Sequence, residues 1–161
     1  MIMSKPMWTC PKCDQQFVNT NQYHSCARAT IEWWKDRMSP RARAIFDKFE
    51  SLVAACGEYS IAPAKTRIAF LGRVRFGGIR WVRGDTVCVG FSLPGPLRSH
   101  RFSRVVEAAP GWFSHDLVVT DPAQLNDEFA AWLKRSYELM GMQRRLRAPR
   151  TPRSVRAARG D

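Results

Sequence analysis

The chain has 161 residues, room for one ordinary domain and a small appendage, since domains commonly run to about 100–150 residues. With 45% apolar residues, six Trp and nine Phe it can bury a core, which excludes a wholly disordered protein; there is no membrane-length apolar run, and no secretory leader is expected, since Met1-Ile2-Met3-Ser4-Lys5-Pro6 lacks the hydrophobic stretch of one. The net charge of +12 is unevenly placed: residues 142–161 hold seven basic groups against one acidic, so half of the excess lies in that stretch.

The first thirty residues read as a metal module. Cys10-Pro11-Lys12-Cys13 supplies one ligand pair and His24-Ser25-Cys26 the second, ten residues on. This spacing predicts a tetrahedral Zn2+ held by Cys10, Cys13, His24 and Cys26, closed by protein on all four sides and therefore structural. The competing reading, a Cys-x-x-Cys redox pair, needs a βαβ setting that is absent and leaves the His-x-Cys unexplained. Only Phe17, Val18 and Tyr23 between the ligand pairs offer apolar surface, so metal binding and folding of the module are expected to be one event. The two remaining cysteines, Cys56 and Cys88, sit among apolar neighbours and read as buried thiols of a cytosolic protein.

Residues 31–38 read as a linker or anchoring segment in which Trp33-Trp34 packs. Ser39-Pro40 opens a helix, Ser as cap and Pro in the first turn, and Ala42, Ile45, Phe46, Phe49, Leu52 and Val53 give it one apolar face before Gly57. Beyond Tyr59 the period changes to two. Thr66–Leu71, Val74–Val82, Thr86–Leu93, Phe102–Glu107 and Trp112–Val119 read as strands. Their short connections favour antiparallel pairing, Arg83-Gly84-Asp85 marks a hairpin, and several strands alternate only in part. Asp121-Pro122, with Gln124 placed for a capping box, begins a closing helix striped by Leu125, Phe129, Trp132, Leu133 and Met140 and ended by Gly141. The expectation for residues 39–141 is an α+β domain, an antiparallel sheet of about five strands with flanking helices, preceded by the zinc-binding module at 1–30.

Lys65-Thr66-Arg67-Ile68-Ala69-Phe70, the strands that follow, the His115-bearing strand and Leu125 to Tyr137 together resemble the bacterial domain-of-unknown-function family 5655, which is often preceded by a Trp-x-Cys-Pro-x-Cys…His-Ser-Cys zinc segment. The resemblance implies a fold and supplies no activity. Asp14 stands where that segment commonly has Gly, which implies a slightly different closure of the knuckle. Trp132 to Leu139 is similar to the closing helix of MmcQ/YjbR-like proteins, a likeness that implies DNA binding.

The tail at 142–161 is expected to be disordered. Arg144, Arg145, Arg147, Arg150, Arg153 and Arg156 recur every two or three residues, and guanidinium groups grip phosphate with little sequence preference. The plainer readings are a solubilising extension, or contact with an acidic protein or membrane surface. Arg73 and Arg75 share a strand face that either stacks and binds single strands or is merely the wet side of the sheet. His115 lies on an apolar strand face, as a core histidine or, with Lys65, Glu58 or Arg101, in a small anion pocket. No phosphate loop, nucleophile elbow or carboxylate pair appears. The sequence thus points to a non-catalytic zinc protein whose partner is nucleic acid. Its rivals are a small-ligand or enzymatic domain with a pocket at His115 and Lys65, and an adaptor that docks a protein partner through the zinc module.

Overall fold

The structure is a computed structural model that describes residues 6–24, 26 and 29–143. Two short strands, β1 (Trp8–Thr9) and β2 (Gln16–Phe17), pair as a small hairpin, and α1 (Ile31–Lys35) and α2 (Pro40–Cys56) follow. Six strands then form one sheet: β3 (Ser60–Pro63), β4 (Ile68–Leu71), β5 (Arg75–Arg83), β6 (Thr86–Pro94), β7 (Arg104–Ala109) and β8 (Trp112–Val119). Every pairing is antiparallel and the order is β3-β4-β5-β6-β8-β7. A 3-10 turn (Pro122–Gln124), α3 (Asp127–Ser136) and a π-helical turn (Tyr137–Gly141) close the fold. Among the described residues no helix is long and apolar enough to cross a membrane.

Helix α2 begins as its sequence dictates. Ser39 Oγ accepts from the Ala42 amide at 3.1 Å with Pro40 behind it, and the apolar stripe Ala42, Ile45, Phe46, Phe49 and Val53 is buried against the sheet. It ends at Gly57, where φ is +149° and a Cβ would lie 2.5 Å from the Tyr137 hydroxyl, which donates to the Glu58 carbonyl at 2.9 Å. The paired tryptophans anchor α1: the Trp34 indole donates to the Ala64 carbonyl at 2.8 Å, and Trp34 is buried in the main core.

The sixth strand, β3, goes beyond the sequence reading. It is a four-residue edge strand ending in Pro63, and proline is tolerated there because an edge leaves its missing donor uncalled for. The closing helix is also more broken than its periodicity suggests. Asp121 and Gln124 form the expected capping box, but around the 3-10 turn only; Leu125 leaves helical angles, and Asn126 caps α3 anew. Past Ser136 the helix widens into the π turn, which carries the Gly141 carbonyl to the amides of Arg73 (2.6 Å) and Val74 (2.9 Å) at the entry to β5.

The two faces of the sheet differ in kind. The cross-strand row Ile61, Phe70, Gly77, Phe91, His115 and Val105 faces the helices, among the fully buried Phe46, Phe49 and Phe129. The next row, Ala62, Ala69, Gly78, Gly90, Asp116 and Arg104, faces away and is small over its first four positions. Central strands are nonetheless buried on both faces, as the runs Phe76–Ile79, Val87–Phe91 and Ser114–Leu117 show. That burial is why these strands fail to alternate.

Candidate metal centre and basic cleft

The knuckle from Cys10 to Gln15 is shaped by two backbone bonds, Cys10 amide to Gln15 carbonyl (2.9 Å) and Asp14 amide to Cys10 carbonyl (2.8 Å). Asp14 takes the left-handed conformation itself, at φ +58°, which Asp tolerates better than most residues, so the knuckle closes without a glycine there. The ligand atoms converge. Cys13 Sγ and Cys26 Sγ each lie 3.3 Å from His24 Nε2, Cys10 Sγ lies 4.0 Å from Cys26 Sγ, and all four donors fall within 4.8 Å of one another. A tetrahedral cation with metal–sulfur bonds of about 2.3 Å sets donor separations of roughly 3.5–3.8 Å, so the cluster fits such an ion after small adjustments.

The imidazole is already oriented for the task. His24 Nδ1 donates to the Gln22 carbonyl at 2.7 Å, which leaves the Nε2 lone pair facing the sulfurs. That hydrogen bond leads the causes that raise the His24 pKa above its ordinary value. Burial works against the Cys10 thiolate, but the amides of Lys12 and Cys13, with the Cys13 and His24 side chains, outweigh it and bring the thiol down to about 6. Burial, then the neighbouring Cys13 and Cys10, pushes Cys26 up. A divalent cation relieves that crowding of sulfur charge. Behind the ligands, Phe17 packs 4.3 Å from the His24 ring, and Phe17 and Val18 are buried.

Module and sheet enclose a cleft of about 310 Å³. Gln22, Tyr23 and His24 line it from the module, and Ala62, Ala69 and Ser92 from the small-residue face of the sheet. Arg67, Arg73 and Arg75 enter from the strand starts, and among the described residues no Asp or Glu lines the cleft. Arg75 is half-buried; desolvation, then Arg80 and Arg67, push its pKa down to about 10, still charged at any cellular pH. Next to it Arg80 bonds Asp116 Oδ1 through Nε at 3.0 Å and Ser114 Oγ through Nη2 at 2.6 Å. Tyr23, at the rim, is 99% exposed.

Of the residues singled out from sequence, Cys10, Cys13, His24 and Cys26 meet, and Arg73 and Arg75 meet in the cleft beside them. Lys65 and His115 do not. Lys65 is exposed between β3 and β4, whereas His115 is fully buried on the helix face and lines no part of the cleft. Its Nε2 accepts from the Leu97 amide at 2.9 Å and its ring stacks on Phe91 at 5.1 Å, so it pins the loop after β6. Arg101 is likewise engaged elsewhere, with Asn126 and Glu128. Arg144, Arg145, Arg147, Arg150, Arg153 and Arg156 lie outside the described residues. The cleft residues that sequence reading missed, Arg67, Gln22 and Ser92 among them, come from three separate segments, and their one shared signal is the run of small side chains opposite them.

The family model described as Domain of unknown function (DUF5655) matches residues 32–140. That span takes in the whole six-stranded sheet and leaves the four metal ligands before it. No curated protein and no solved structure matches the chain.

Proposed function

The chain belongs to the family Domain of unknown function (DUF5655), and from that premise we propose that it is a non-catalytic, zinc-containing nucleic-acid-associated protein of the cytosol. The metal is Zn2+: three thiolates and one imidazole are its preferred structural set, and four protein donors leave no position for a reacting water. Its work is to fold the module against the sheet. The observation that carries the nucleic-acid reading is the cleft, lined by no acid among the described residues, in which Arg67, Arg73 and Arg75 converge beside the candidate metal module. Backbone phosphate is the abundant polyanion that such a surface attracts, and the exposed Tyr23 at the rim offers a ring on which a base stacks. The arginines of residues 144–161 add affinity without sequence preference.

The test is binding of mixed DNA and RNA oligomers lacking terminal phosphates, across a salt series. The full chain is compared with one truncated after residue 141 and with the Arg67→Ala/Arg73→Ala variant. Affinity that falls steeply with salt, and falls again on truncation and on loss of the two arginines, supports the reading. Absence of binding at low salt overturns it.

A further inference from the structure

The cleft contains a cation that no acid among the described residues pairs with directly. Arg75 is half-buried, yet among the described residues it has neither a carboxylate within ion-pairing distance nor a side-chain hydrogen bond. The acid whose field reaches it, Asp116, is already bound by Arg80 at 3.0 Å. An arginine does not shed its proton to escape burial, and a partly desolvated guanidinium without a paired acid offers an open position to an anion from solution. Arg67 and Arg73 line the same cleft and raise its potential. A guanidinium matches two oxygens of a phosphate at once.

A second atom narrows the ligand. Gln22 lines the cleft from the module, and its buried Oε1 has no hydrogen-bond partner among the described residues. An acceptor left open near a basic cluster calls for a ligand that brings a hydroxyl or amine as well as a negative group. The floor of Ala62, Ala69 and Ser92 leaves space above the sheet, and Phe17 and Trp112 supply apolar walls. A volume of about 310 Å³ suits one small molecule rather than a run of strand.

We infer that the cleft holds a single mononucleotide unit, its phosphate monoester on Arg75 and a sugar or base donor at Gln22, either free or as the phosphorylated end of a strand. This deepens the nucleic-acid reading and rests on it for the identity of the ligand.

Calorimetric titration of the zinc-loaded full chain tests it, with inorganic phosphate, adenosine monophosphate, adenosine, and one oligothymidylate with and without a terminal phosphate. The monophosphate is expected to saturate one site per chain and adenosine to give no binding. Arg75→Gln is expected to weaken the monophosphate by about tenfold or more. Ala69→Leu, which keeps every charge and fills the floor, is expected to do the same. Preference for the phosphorylated strand over the unphosphorylated one identifies a strand end as the ligand, and equal binding identifies the free nucleotide. The inference is overturned if the monophosphate binds the wild type no tighter than either variant, or does not bind. Salt-dependent binding of unphosphorylated strands in that case leaves the broader reading standing, whereas a bound monophosphate with no strand binding removes the broader reading and keeps the cleft.

Discussion

Arg80 and Asp116 form an ion pair laid flat across the sheet, Nε to Oδ1 at 3.0 Å, over the one strand position between them that carries no side chain. That position is Gly90, where a Cβ would stand 2.6 Å from Asp116 Oδ1 and 2.7 Å from Arg80 Nε. The side chains are 18% and 11% exposed, so neither charge is well solvated alone. Asp116→Ala is expected to cost about 3 kcal/mol, because it leaves Arg80 uncompensated beside Arg75, while Arg80→Met/Asp116→Leu recovers most of the loss. Gly90→Ala forces the pair apart and is expected to fall between them. Urea denaturation midpoints of the four proteins give the order.

Ser136 ties the last helix to a gap in the ladder between β5 and β6. Its buried Oγ lies 2.8 Å from the Phe76 carbonyl and 2.6 Å from the Ser92 carbonyl, and it accepts from the Ser92 amide at 3.2 Å. Ser136→Ala removes the one side chain among the described residues that bonds these groups and is expected to destabilise by about 2 kcal/mol. Because the π turn that follows places the Gly141 carbonyl on the Arg73 amide, hydrogen exchange at Arg73 and Val74 is expected to quicken more than exchange in β8.

These bonds explain what sequence reading catches and what it misses. Ser39-Pro40 and the stripe from Ala42 to Val53 declare α2 outright, since cap, proline and period agree. The candidate metal cluster is equally plain, because its spacing is itself the chemistry and the four donor atoms converge. Incomplete alternation in β5, β6 and β8 is a true signal of a second covered face, although the pattern does not say what covers it. The last helix misleads at its start: the capping box at Asp121 is real, but Leu125 interrupts the helix it announces. The cleft is the least legible feature. Arg67, Arg75 and Gln22 are brought together by strand register and by the seating of the module, neither of which has a local code, and only the row Ala62, Ala69, Gly78, Gly90 hints at the space they share.

His115 contributes to stability in a pH-dependent way whose sign follows from burial. Desolvation holds its pKa below the ordinary value, so the folded state keeps the ring neutral where the unfolded chain already takes up a proton. Over that interval the unfolded state binds more protons, and stability falls as pH drops through the ordinary histidine value toward the lowered one. His115→Gln preserves an acceptor for the Leu97 amide and does not titrate. It is expected to be less stable than wild type near pH 7 and to lose less on going to about pH 5. Parallel urea titrations at the two pH values read the difference directly, and equal slopes remove His115 as the source.

Zinc removal separates the two bodies of hydrophobic contact. The module offers little to bury besides Phe17 and Val18, whereas the main core holds six fully buried phenylalanines, Phe46, Phe49, Phe70, Phe76, Phe91 and Phe129. A segment so poor in apolar surface folds on metal binding, at apparent free energies of about 10 kcal/mol in comparable peptides. Chelation, or Cys26→Ser, is therefore expected to abolish hydrogen-exchange protection at β1 and β2 and to expose the sheet face at Ala69 and Ser92. Protection in β5, β6 and β8 is expected to persist wherever the helix-facing side holds the strands. Elemental analysis should find one zinc per chain in wild type and in Cys88→Ala, since Cys88 is buried among strands away from the cluster. Protection of β1 and β2 that survives metal loss assigns their folding to packing on the sheet, and it makes the zinc a clamp on an already formed module.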